Sequence, residues 1–433
     1  MADKVTQIEK TTLNRVPENE KKSWGAIAFI WAGSVICVPA LMVGGMISAG
    51  LTFGQSVVSM IIGYIIVVCY MILIGIQSSD LGVPAVVAIS RAFGTEGSRF
   101  TISLIIAIAM TGWFGFQTSV CASSFNMIME QYIGAAMPFW ISCIIWGVAM
   151  FITSVFGVVM IKVLNYISVP ILFVFLVVGV IVTLRTPGSA EVIANFVPAE
   201  SSGMVTGIMI AIGGFAAGAV VSGDFTRYSK SRKDTVRSSI VGVLPAGIGA
   251  LVIGGLLAIS SGSFDITIMF SNIGVPIIGL IVLIAATWTT NTGNAYFSGI
   301  AVVNIFKLSD DKRSIATLIC GAIGTVLAVV GIIFVFVPFL SFLSSVIPPV
   351  AGVAIADYWI AGRGDKDKWE PFKGVNWLGV IAWVCGAAFA LLLPALFIPT
   401  INAILIAIVV YVVLAKVVKS PKVNPFAAQA DES

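Results

Sequence analysis

The sequence predicts an all-α integral membrane protein with twelve transmembrane helices. Three observations predict it: an apolar composition, a one-sided distribution of basic residues, and helix-weakening residues in two corresponding spans. Of 433 residues, 58% are hydrophobic and 10% charged, whereas soluble domains carry about 25% charge. Twelve apolar runs approach the roughly 20 residues that a helix needs to cross a bilayer. Of the 24 Lys and Arg residues, all but Arg185 then fall on one side when the amino terminus is placed inside. Short loops rich in Lys and Arg stay cytoplasmic, so the protein is expected in the cell membrane, multi-pass, with both termini cytoplasmic. A wrong span count would scramble the alternation, so the charge bias also checks the topology.

A polar cytoplasmic tail, 1–24, comes first and lacks the pattern of a cleavable signal peptide. Spans are expected at roughly 25–49, 56–78, 101–127, 136–157, 163–184 and 203–223. The second half reads roughly 238–260, 273–305, 314–330, 331–356, 375–398 and 401–418. The run 273–305 is long for one straight crossing, which implies tilt or an amphipathic extension. The first five spans (25–184) and the next five (203–356) form successive sets. Two further helices (375–418) and a cytoplasmic tail (419–433) complete the chain. No stretch reads as a soluble domain.

Span one carries Gly33, Pro39, Gly44, Gly45 and Gly50; span six carries Gly207, Gly213, Gly214 and Gly218. Glycine costs about 1 kcal/mol relative to Ala inside a helix. Unwound backbone at membrane depth is tolerated only where it lines a cavity or is buried in protein. Close helix packing through small residues is the other reading of such glycines. The two interrupted spans begin successive sets of five, and matched interruptions in two halves point to a transporter site. Five is odd, so the second set would be inverted. Helices 1 and 6 are therefore expected to be broken, with freed carbonyls and half-helix ends near the midplane.

Polar side chains at membrane depth cluster in two spans. Span eight contains Ala286-Thr287-Trp288-Thr289-Thr290-Asn291-Thr292-Gly293-Asn294. Threonine hydroxyls can bond back to their own helix, but Asn291 and Asn294 offer both donor and acceptor, suiting a heterocycle edge with adjacent N–H and C=O groups. In span three, Trp113 and Gln117 are four apart and share a helix face. An indole plate beside an amide can stack on a flat ring and bond its edge; a packed Trp with an interhelical Gln is the plainer alternative.

Absences narrow the function further. The chain has no His, and its carboxylates fall at span ends or in loops, where proton carriers commonly place an intramembrane Asp, Glu or His. Neutral oxygens suit Na⁺. The six cysteines sit in apolar stretches without metal spacing and read as small buried residues. No phosphate-binding glycine motif or nucleophile with a paired base is present, so no enzyme or ATP-driven pump is expected. The basic residues are loop residues by position, and no nucleic-acid partner is expected.

At these segments the chain resembles the nucleobase–cation symport-1 family, and within it the cytosine permeases most. The resemblance runs from about Trp24 to Lys419. It is carried by Gly112-Trp113-Phe114-Gly115, by Gly213 through Phe215 to Ser222-Gly223-Asp224-Phe225-Thr226-Arg227, and by Trp288-Thr289-Thr290-Asn291. A fourth landmark runs from Ile347-Pro348-Pro349 to Asp357-Tyr358. The resemblance implies a LeuT-type fold of two inverted five-helix repeats plus two carboxy-terminal helices. It implies that Trp113 and Phe215 sandwich the substrate ring, with Asn291 and the backbone of Gly213, Gly214 and Ala217 at its polar edge, beside the Gln117 already singled out. It also implies sodium as coupling ion, held by the carbonyls of Gly33, Ile36 and Ala286 and the hydroxyls of Thr289 and Thr290, with no organic cofactor.

One departure bears on the substrate. Similar cytosine permeases carry a glutamine three residues before the stacking Trp, where this chain has Met110. Its amide sits at Gln117, a position more like that of hydantoin-type carriers, which in turn tend to have Trp where this chain has Phe215. The expected function is import of a nucleobase by sodium symport with alternating access, cytosine first. Another purine, pyrimidine or hydantoin-like ring, proton coupling, and an amino-acid carrier of the same architecture are the alternatives. The expected partners are a small-molecule nucleobase, Na⁺ and membrane lipid.

Overall fold

A computed structural model describes residues 15–426 except 136, 157, 264, 273–275, 394–395, 419 and 421–423, with side chains also left out at 158–169, 276 and 310. Most of both predicted tails (1–14 and 427–433) lies outside the described residues, as does the side chain of Lys162. The described chain is helical, apart from turns and one isolated bridge between Lys22 and Ser229.

Span one is broken. Helix α1 (Trp24–Val35) is capped by Ser23, whose hydroxyl accepts from the Ala26 N–H, and α2 (Val38–Ala49) restarts after Ile36 and Cys37 at an angle of 60°. Pro39 accounts for the break. In a continuous helix its ring would meet the carbonyl of Val35, and it has no N–H to donate to that carbonyl. In the first turn of a new helix it is tolerated. Helix α3 (Phe53–Leu81) opens with a capping box between Thr52 and Gln55 and ends at Gly82, which adopts φ 70°.

The remaining elements follow in order: α4 (Thr95–Ile128), α5 (Phe139–Val155), α6 (Val158–Arg185), α7 (Met204–Val220) and α8 (Arg232–Ser261). Then come α9 (Pro276–Phe306), α10 (Arg313–Val329), α11 (Phe336–Val346), α12 (Pro348–Ile355), α13 (Trp377–Leu392) and α14 (Pro399–Val417). Among the described residues six helices are long and apolar enough to cross a membrane, or seven if the bent α1–α2 pair is one span; five further apolar helices are shorter. The long run 273–305 is met by the single helix α9.

Span six departs from expectation. Helix α7 runs unbroken through Gly213 and Gly214 and stops only at Val220, before a turn and the short helix Gly223–Thr226. The glycine pair serves packing instead. A Cβ on Gly213 would collide with the backbone carbonyl of Leu340 in α11, and one on Gly214 would press on Val43 of α2 at 3.2 Å. Among the described residues span six therefore shows no break at the glycine pair, and α7 covers the expected span 203–223 to within three residues of its end.

Two groups of helices meet at a seam. In the first, α8 packs on α1, α2 and α3, and α7 packs on α3. There Gly44 of α2 lies against the Leu251 backbone and Gly254 of α8 against the Leu41 backbone, so neither position has room for a side chain. In the second, α4 packs along α9, and both pack against α5 and α10. Contacts across the seam are sparse by comparison, chiefly α7 with α4 and α2 with α9. Helices α12, α13 and α14 pack together to one side.

That third group is fastened by a buried ion pair. Asp357, fully buried after α12, accepts from Arg91 Nε at 3.0 Å and from the Tyr411 hydroxyl at 2.8 Å. Arg91 also donates to the Asp357 backbone carbonyl, and Asn376 donates to the Arg91 carbonyl. The adjacent Tyr358 donates to Asp80 at 2.7 Å, and Asp80 in turn accepts from Arg232. Residues 357 and 358 of the landmark segment thus tie α14 and the loop before α4 to the ends of α3 and α8.

Candidate functional site

A cavity of about 440 Å³ lies at the seam. Its walls come from the α1–α2 break, from α7, and from one face each of α4 and α9. On α4 the lining residues are Met110, Trp113 and Gln117; on α9 they are Ala286, Thr289, Thr290, Gly293, Asn294 and Phe297. Spacings of three and four residues put each set on a single helical stripe.

The break supplies backbone oxygens. Helix α1 ends at Val35, with Ile36 in an extended conformation, so the last carbonyls of α1 lose the following turn that would donate to them. Gly33 and Ile36 both line the cavity. Across from them, the hydroxyls of Thr289 and Thr290 donate to the Ala286 carbonyl at 2.7 and 3.1 Å. With their hydrogens directed there, both hydroxyl oxygens keep lone pairs for a cation. This set of neutral oxygens fits Na⁺ at an unwound helix, and the described residues contain no cluster of three or more acidic, Cys or His side chains that could hold a metal ion.

Two aromatic plates flank the space. Trp113 is set edge-on to Phe336 at 5.1 Å and to Phe116 at 6.2 Å. Phe215 stacks on Tyr64 at 6.3 Å with an interplanar angle of 11°, and meets Trp31 edge-on. Gly213, Gly214 and Ala217 line the same wall, but inside a continuous helix; the Ala217 carbonyl already accepts from Val221. Gln117 is 1% exposed, and its Oε1 has no hydrogen-bond partner.

Of the twelve residues expected to hold substrate or sodium, eleven meet at this cavity: Gly33, Ile36, Trp113, Gln117, Gly213, Gly214, Phe215, Ala217, Ala286, Thr289 and Thr290. Asn291 does not. It is fully buried, and its amide donates to the Phe114 carbonyl and the Thr118 hydroxyl, both at 3.0 Å. The amide on the cavity side is Asn294, which donates to Asn291 Oδ1 at 3.1 Å. Counting 3.6 residues per turn from Ala286, Thr289 and Thr290 reaches Gly293 and Asn294, so register along α9 was the available signal. Tyr64, beneath Phe215, had no signal in its Ile- and Val-rich surroundings.

Gly33, Ser34 and Phe297 are exposed lining residues, on the side toward the start of α1 and the end of α9. The short helix Ile266–Ser271 packs against α2, α4, α8 and α9, with Ile266, Met269 and Phe270 buried. Phe270 stacks on Phe175 of α6, and Thr267 meets Ser124 of α4 at 3.5 Å.

A family profile described as "Permease for cytosine/purines, uracil, thiamine, allantoin" matches residues 15–414. The cytosine permease of Escherichia coli K12 is 27% identical over 404 residues, 92% of each chain. The hydantoin permease of Microbacterium maritypicum is 27% identical over 415 residues, 87% of this chain and 82% of its own. Among solved structures, the inward-facing conformation of Mhp1 superimposes with a TM-score of 0.79 at 20% identity, covering 96% of this chain and 94% of that one. A Na⁺-coupled sialic acid symporter gives 0.60 at 11% identity, covering 93% and 90%. The fold is thus one shared by secondary transporters, and the protein is a multi-pass membrane permease rather than an enzyme. Matched from its first described residue to the last turn of α14, the chain belongs to the nucleobase–cation symport-1 family of permeases, with sequence similarity to cytosine permeases.

Proposed function

We propose that the protein imports a flat nucleobase-like ring, cytosine first, by symport with sodium and alternating access. The observation that carries this reading is the pair of aromatic plates, Trp113 and Phe215, that line one cavity together with the amide-bearing Gln117 and Asn294. Trp113 and Phe215 would hold the ring between them, with Asn294 and the α7 backbone at Gly213, Gly214 and Ala217 near its edge. Sodium would sit among the carbonyls of Gly33, Ile36 and Ala286 and the hydroxyls of Thr289 and Thr290. A hydantoin-like ring is the second reading, favoured by the amide at Gln117 and the thioether at Met110.

The architecture proposed with it has twelve spans, the shorter apolar helices completing the set. Two inverted repeats, 25–184 and 203–356, are followed by the pair 375–418, with the tails 1–24 and 419–433 in the cytoplasm. The group containing α1, α2, α3, α7 and α8 rocks against the group containing α4, α5, α9 and α10. Sodium and substrate drive this by binding one arrangement better than the other. The sparse seam between the groups supports a rigid-body motion.

The test is uptake of radiolabelled cytosine into proteoliposomes with and without an inward sodium gradient, in competition with uracil, purines, hydantoins and free amino acids. Sodium-stimulated accumulation, displaced by rings and not by amino acids, is expected. Displacement by amino acids alone would overturn the substrate class, and uptake that never exceeds equilibration would overturn symport.

A further inference from the structure

Asn291 touches nothing that the cavity could hold, yet it stands in a chain of hydrogen bonds whose polarity leads into the cavity. We infer that Asn291 is a positioning residue: with Thr118 and the Phe114 carbonyl it locks the Asn294 amide, so that a carbonyl oxygen faces the ligand and selects rings with an N–H on that side. This rests on the proposed reading of the cavity as a substrate site and adds which substrate edge is read.

The polarity follows from the partners. A backbone carbonyl can only accept, so the Asn291 atom 3.0 Å from the Phe114 oxygen is Nδ2. The same nitrogen lies 3.0 Å from Thr118 Oγ1, and the Thr118 hydroxyl points its hydrogen at the Met150 sulfur at 3.9 Å, leaving its oxygen to accept. Both N–H groups of Asn291 are then engaged, and Met150 Sδ closes the third side at 3.2 Å. Asn291 Oδ1 must accept, and the contact at 3.1 Å is a donation from Asn294 Nδ2. Turning the Asn294 amide end for end would set two carbonyl oxygens face to face.

Asn294 is left with its own carbonyl oxygen and one N–H for the cavity that it lines. Gln117 lies on the same α4–α9 wall. Asn291 and Asn294 lie on α9, Phe114 and Thr118 on α4, and Met150 on α5, all within the second helix group. A movement of the first group therefore leaves the lock intact, and the same substrate edge is read whichever way the cavity opens. A ring methylated at the nitrogen facing this wall loses its donor and sets a methyl group against an oxygen.

The test uses the full-length protein and equilibrium displacement of radiolabelled cytosine. Competitors are cytosine, uracil, a 5-substituted hydantoin and each singly N-methylated counterpart. For the wild type, at least one N-methyl analogue is expected to bind about 10-fold or more weakly than its parent, in line with one buried hydrogen bond. Asn291→Leu keeps the volume and removes the Oδ1 that accepts from Asn294, freeing the Asn294 amide to turn. That discrimination should fall to about 3-fold or less, while Thr118→Ser, which keeps the acceptor for Asn291, should retain the wild-type ratio. Full discrimination in Asn291→Leu would overturn the inference, and so would a wild type that accepts every N-methyl analogue as well as its parent. Should no ring bind the folded wild type, the reading of the cavity falls first and the inference with it.

Discussion

Trp113 is braced before any ligand arrives. Phe116 and Phe336 meet its edges, and these two rings are stacked on each other. A braced plate loses little side-chain freedom when a ligand stacks on it, so most of the stacking energy remains available for affinity. Trp113→Ala is expected to weaken ligand binding by about 1–3 kcal/mol, by analogy with base–aromatic stacking. Ligand displacement would measure this, and unchanged affinity would remove Trp113 from the site. Trp113 and Gln117 were legible in the sequence because their spacing alone puts them on one face. Asn291 and Asn294 were legible as a polar pair in an apolar span, but not which of them meets the cavity. That choice depends on how α9 is rotated against α4, and an interhelical bond to the Phe114 carbonyl is not encoded in local spacing. Tyr64 shows the same limit more plainly, since only the position of Phe215 across the interface gives it a role.

Among the elements, the break in span one has its strongest local signal in one residue. Pro39 lacks the N–H and crowds the Val35 carbonyl, and the structure bends by 60° just before it, whereas Pro245 is carried inside the continuous helix α8. Gly213 and Gly214 were ambiguous in a way that Pro39 was not, because glycine permits unwinding without requiring it. The approach of the Leu340 backbone decides the matter in favour of packing. The two glycine-bearing spans consequently carry unequal weight for ion binding. The carbonyls at the end of α1 are released, whereas those of α7 near the glycine pair stay within helical turns. Coupling should then depend on the α1 end and the facing hydroxyls of α9. Thr289→Ala with Thr290→Ala removes both hydroxyls that bond the Ala286 carbonyl and leaves the aromatic plates in place. The expected result in proteoliposomes is a rise of about 10-fold or more in the sodium concentration for half-maximal uptake, the equivalent of one lost ligand of about 1.4 kcal/mol. Substrate affinity at saturating sodium should change less. Unaltered sodium dependence in the double variant would reject this ion site.

For the whole molecule, charge and access make one joint prediction. Basic residues placed by the positive-inside rule gather at the ends of α1, α3, α8 and α9, and the exposed part of the cavity faces those same ends. If that side is cytoplasmic, the arrangement is open to the cytoplasm. Ser34 is the natural reporter, because it lies in the exposed mouth and its hydroxyl bonds only back to the Ile30 carbonyl of its own helix. With the six native cysteines replaced, Ser34→Cys should react with a membrane-impermeant maleimide in inside-out vesicles and stay unreactive in right-side-out ones. Sodium with a transported ring should slow the reaction, because binding favours arrangements in which the cavity is occupied and more closed. Reaction only in right-side-out vesicles would reverse the assigned orientation. Equal reaction from both sides would mean that the cavity is open to both, and the alternating-access reading would lose its closed gate.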